Sequence, residues 1–172
     1  FDFGTTDFSF SYWSYDDSSD GDGRGARIFD CLVSTTTGIQ LGTNATPLYN
    51  LRLDDHEGGS TISNNTLLIT QPSDAWVHVA VNIDRANFLG EVFFNGASQG
   101  TFPMLGTSTG IIRPTQDLDI GVINGGGDPA GAQESGLDDL AFYDGLLSAS
   151  DITGLASGAP TPLNFLPGPG MA

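Results

Sequence analysis

The stretch WVHVAVNIDRANFLGEVFFNGASQGT, Trp76–Thr101, constrains this chain more than any other. Val77, Val79 and Val81 fall on one side of an extended backbone. Trp76, His78, Ala80 and Asn82 fall on the other, and a period of two marks a strand. Asp84–Asn87 reads as a turn and Leu89–Phe94 as a second strand. Asn95-Gly96 then signals a hairpin into a third, because a type I′ turn needs positive φ at both central residues.

The rest of the chain follows the same rhythm. Phe8, Phe10 and Tyr12 alternate against Ser9, Ser11 and Trp13. Further strands are expected over Ala26–Val33, Ile39–Leu41, Tyr49–Leu53, Thr66–Thr70, Leu118–Ile123 and Leu137–Tyr143. His56–Asn65 reads as a polar loop, Phe102–Pro114 as a long irregular connection, and Asn124–Gln133 as a Gly-rich loop. Ser148–Asp151 resembles a capping box with Asp in place of Glu, so one short helical turn is expected near residues 148–156. About a dozen short strands with interior alternation predict an all-β fold, an antiparallel two-sheet jelly-roll sandwich. The sandwich is assigned to residues 1–157. Gly158–Ala172 is a Pro/Gly-rich tail or arm that cannot form a central strand. The chain opens at Phe1 inside an expected strand and is read as a processed product or a piece of a longer protein.

Charge narrows the partners. There are 21 Asp and Glu against 5 Arg and no Lys, a net charge of −16. Such a surface repels phosphate backbones and anionic membranes, which argues against nucleic acid. No apolar run of about 18 residues exists, so no membrane insertion is expected. The lone Cys31 allows no intrachain disulfide and reads as a small buried thiol.

Three blocks together resemble the laminin G-like branch of the concanavalin A-like lectin/glucanase superfamily. They are DFSFSYW (Asp7–Trp13), the W-x-H-V-A-V strand at Trp76–Val81 with its Asn95-Gly96 hairpin, and GLDDLAFYDGLLSASDI (Gly136–Ile152). The resemblance implies the same sandwich. It also implies that an Asp in the closing block, here Asp138, helps bind structural calcium near the N-terminal strand. Laminarinase-type hydrolases of this fold need an E-x-D-x-x-E strand with carboxylates about 5–5.5 Å apart. Glu57, Glu91 and Glu134 sit in no such pattern, so no enzyme is expected.

Two further sets of residues bear on ligands. Asp16, Ser18, Asp20 and Gly21 match the opening of a calcium loop, and Asp22 can add a ligand. Arg27 stands at the twelfth position where an EF-hand needs Glu, so the alternative is a solvated turn. By alternation Asp138 shares a side with Leu140 and Phe142, where a carboxylate wants a partner or a metal. Among the aromatics, Trp13 and Tyr15 alternate against the Phe8–Tyr12 face and form the expected exposed, ligand-binding pair. His78 is expected to be a core histidine making one or two hydrogen bonds. These features predict a non-catalytic recognition module, extracellular or on a cell or virion surface, that binds glycan or a surface protein with structural calcium. The alternative is a structural subunit of a surface layer, filament or virion, a homo-oligomer or part of a larger assembly joined through terminal arms.

Overall fold

The computed structural model describes residues 2–15, 27–31, 38–43, 49–54, 61–64, 69, 71–103, 117–121 and 136–158. The strands are β1 (Phe8–Tyr15), β2 (Arg27–Asp30), β3 (Gly38–Thr43), β4 (Tyr49–Asp54), β5 (Thr61–Asn64), β6 (Trp76–Asp84), β7 (Leu89–Phe94), β8 (Ala97–Pro103), β9 (Asp119–Ile120) and β10 (Gly136–Asp144). One helix follows, α1 (Ala149–Ala156). The strands form two five-stranded antiparallel sheets, ordered β10-β1-β6-β7-β8 and β5-β4-β3-β2-β9.

The alternation read from the sequence builds the core between the sheets. Phe8, Phe10 and Tyr12 from β1 meet Val77, Val79, Val81 and Ile83 from β6. Ile28, Phe29, Cys31, Ile39, Leu41 and Leu51 come from the second sheet and its margins. Full burial of each such aliphatic side chain contributes about 1.5–3 kcal/mol relative to exposure. Phe10 and Phe29 meet edge-to-face across the layers at 5.2 Å, and Phe142 meets Phe29 at 5.1 Å. The hairpin at Asn95-Gly96 has φ of 48° and 85°, the two positive values a type I′ turn requires.

Several expectations need correction. Thr61–Asn64 is a strand inside the expected His56–Asn65 loop, since four residues with one apolar side chain are too few to show alternation. Phe102 and Pro103 close β8 instead of opening an irregular connection, and the Phe102 ring fills the space a side chain at Gly90 would take. The expected Thr66–Thr70 strand lies outside the described residues except Ile69, which is not in a strand.

Strand β10 carries the most consequential difference. Ser11 pairs with Ala141 and Trp13 with Asp138, so Asp139 and Leu140 together oppose Tyr12. This is a β-bulge, and Asp139 takes a positive φ of 51°. The extra residue resets the alternation. Leu137, Leu140 and Phe142 all pack on the core, and Asp138 is exposed on the opposite side. The expectation that Asp138 faces apolar neighbours is therefore wrong.

Helix α1 lies on the outer face of the first sheet. Leu147, Ile152 and Leu155 form a second apolar cluster with Ala80 and Phe93, and Tyr143 packs against it. Ala80 is the small residue of this cluster, and Ser9 meets the segment leading into the helix. The segment leading into it is latched: Asn82 Nδ2 donates to Leu147 O at 2.9 Å, and Leu147 N donates to Ser9 Oγ at 3.1 Å. The Ser148–Asp151 capping box forms as expected, with Asp151 N donating to Ser148 Oγ and Ser148 N donating to Asp151 Oδ2.

Candidate functional site

The helix covers only part of the outer face. Beyond Ala80 and Ser11, towards the Tyr15 end of β1, aromatic side chains occupy it. Residues directly opposite in antiparallel strands project to the same face. Asp138, Trp13 and His78 form one such row across β10, β1 and β6, and Gly136, Tyr15 and Trp76 form the next. The ring of Trp13 meets His78 edge-on at 5.3 Å, and that of Tyr15 meets Trp76 at 5.7 Å with a 54° tilt. Such pairs contribute about 0.5–1.5 kcal/mol beyond their burial.

Trp76 is 49% exposed, although it starts the central strand. Its six-membered ring reaches across Tyr15 to β10. A Cβ built at Gly136 would sit 2.6 Å from Trp76 Cη2 and 3.1 Å from Tyr15 Cβ. Glycine at 136 therefore supplies a floor on which the indole lies. The result is an aromatic platform: Trp76 exposed, Trp13 and Tyr15 half-buried, Asp138 at its edge. Trp13 and Tyr15, expected from the sequence as an exposed pair, are half-buried, and the exposed ring is Trp76, which the alternation had not singled out. The signal was present, since Trp76 alternates against Val77.

His78 supports the platform from within. Only 2% of it is exposed, and burial pushes its pKa down to about 4, so the ring is neutral at neutral pH. Its backbone is tied to the hairpin, with His78 N donating to Asn95 Oδ1 at 2.9 Å and Asn95 N donating to His78 O at 2.8 Å. Against expectation, its buried Nδ1 makes no side-chain hydrogen bond among the described residues. The ring serves here as packing for Trp13.

The other expected sites fare differently. Asp16, Asp20 and Asp22 lie outside the described residues. Among the described residues no three His, Cys, Asp or Glu side chains gather as a metal centre, and Asp138 Oδ1 accepts only from its neighbour Asp139 N, at 2.9 Å. Among the other aromatics, Phe88 and Phe102 pack on the core and Tyr143 packs against the Ala80–Phe93 cluster. Cys31 is buried, its thiol pushed up to about 11 by desolvation, and Sγ donates to Ile39 O at 3.3 Å. It is protonated and inert at neutral pH.

Comparison with known proteins places the fold. A native heptameric SAP-like pentraxin from Limulus polyphemus superposes with a TM-score of 0.59 at 19% identity, covering 87% of this chain and 69% of that one. The binding domain of botulinum neurotoxin DC in complex with SialylT gives 0.63 at 17% identity, covering 89% of this chain and 35% of the toxin's. The binding domain of Paraclostridial Mosquitocidal Protein 1 gives 0.60 at 16%, covering 90% and 38%. The chain thus spans little more than a third of those toxin chains. No curated protein matches its sequence. The family model of laminin G type, described as the concanavalin A-like lectin/glucanases superfamily, matches residues 1–153. With most of its length matched and the two-sheet sandwich in place, the chain belongs to the laminin G-like family of that superfamily.

Proposed function

We propose that the chain is a non-catalytic recognition module that binds glycan on the platform of Trp76, Tyr15 and Trp13. One observation carries this reading: a half-exposed tryptophan, tilted at 54° against Tyr15, on a sheet face kept clear by Gly136. The C–H face of a pyranose is apolar and weakly positive, and it stacks on the negative face of an aromatic ring. Family membership supports a binding module, and similarity to a toxin domain solved with SialylT supports a saccharide as its ligand. A related toxin domain solved with rat synaptotagmin II keeps a surface protein as the competing ligand. A place outside the cell or on a surface goes with this reading, and no helix among the described residues is long and apolar enough to cross a membrane.

A glycan array followed by calorimetry tests it. Trp76→Ala is expected to weaken the best glycan at least tenfold, the loss of one stacked ring. Gly136→Ala should weaken it comparably, with little change in Tm, because the new Cβ displaces the indole without touching the core. A blank array, or affinity indifferent to both changes, overturns the reading. Structural calcium enters as a support for the fold through the spacing of Asp16, Asp20 and Asp22. Adding calcium to chelator-treated protein is expected to raise Tm, and an unchanged Tm removes calcium from the reading.

A further inference from the structure

We propose that the platform selects glycans by charge, taking sugars that bear free amino groups and refusing acidic ones, with Asp138 as the residue that sets this preference. This rests on the glycan reading above and adds a substrate class to it. The bulge in β10 turns Asp138 outward, directly opposite Trp13. One carboxylate oxygen accepts from Asp139 N, and the other has no protein partner among the described residues. An exposed carboxylate thus stands beside the half-buried indole of Trp13, one row from the exposed Trp76, and carboxylate and aromatic rings both attract an ammonium group.

Nothing described on this face offsets that bias. His78, the other ionisable side chain in the row, is neutral at neutral pH. Of the five arginines in the chain, Arg85 is buried and donates through Nη1 to Gly4 O at 2.9 Å. Arg27 and Arg52 belong to β2 and β4 of the second sheet. The net charge of −16 adds a repulsive field for uronate, sulfate or sialate groups. The ligand that fits is a chain of pyranoses flat enough to stack and carrying primary amines, of the glucosamine-polymer class.

The test uses the full chain and three oligomers of matched length: glucosamine, N-acetylglucosamine and hyaluronan. Calorimetry is run in mildly acidic buffer of low ionic strength. The glucosamine oligomer is expected to bind about tenfold tighter than its acetylated counterpart, the order for one exposed ammonium–aromatic contact plus one exposed ion pair. Hyaluronan should show no binding. Asp138→Asn should bring the amine preference close to one. Hyaluronan binding as tightly as glucosamine, or an amine preference that survives Asp138→Asn, overturns the charge selection. Equal binding of the two glucosamine forms that still depends on Trp76 also overturns it, while the glycan reading stands. If none of the oligomers and no other glycan binds, both fall together.

Discussion

At His78 an imidazole is held out of water, packed edge-on against Trp13. Burial disfavours its charged form, so its pKa falls from an ordinary 6.5 to about 4. The sign of the linkage follows. Above pH 6.5 both folded and unfolded chains carry a neutral ring, and His78 costs nothing. As pH falls towards 4 the unfolded chain takes up a proton that the folded chain refuses, and stability is lost, by about 3 kcal/mol at most. His78→Leu is therefore expected to gain up to about 3 kcal/mol on wild type between pH 7 and pH 4, read as the difference of two urea titrations. A difference that stays constant with pH would show that this ring does not titrate as described. Gly136 makes a different point at the same scale. Read alone it is an ordinary loop-to-strand glycine, and only the ring of Trp76 above it explains its size. The sequence names which face a residue is on but not which ring leans across two strands to reach it.

Among the elements, those legible in advance have unbroken alternation. Strand β6 is the plainest case: Val77, Val79, Val81 and Ile83 are all buried in the core. Helix α1 announced itself through its cap. Alternation fails where a bulge breaks the period. In β2 the register shifts between Arg27 and Phe29, and both Ile28 and Phe29 are buried. In β10 Leu137 and Leu140 share a face although three residues apart, which turned the expected inward Asp138 into an outward one. A bulge is set by which residue tolerates positive φ, and Asp does so better than most. Asp139→Val is thus expected to destabilise the fold by about 1–2 kcal/mol, while Asp139→Gly should be neutral or stabilising. Denaturant midpoints for the two variants decide it, and equal midpoints would mean the bulge relaxes freely.

The whole molecule holds together under a net charge of −16. Like charges on a compact body repel one another more than on an extended chain, and salt screens them over about 10 Å at 0.1 M. Tm is accordingly expected to rise as sodium chloride is added from low to moderate concentration. A flat or falling Tm would mean that local pairs, not the overall field, dominate. The same screening should weaken capture of a cationic ligand, so stability and affinity are expected to move in opposite directions with salt. The platform has one more consequence for the molecule at large. The chain contains two tryptophans, and they are Trp13 and Trp76. Ultraviolet light selective for indole therefore excites only the proposed site, and the emission of the unlabelled protein is the emission of that face. A bound sugar that sheds water from Trp76 should shift the spectrum to the blue. The molecule is its own optical probe, with no dye to attach and no background from elsewhere in the fold.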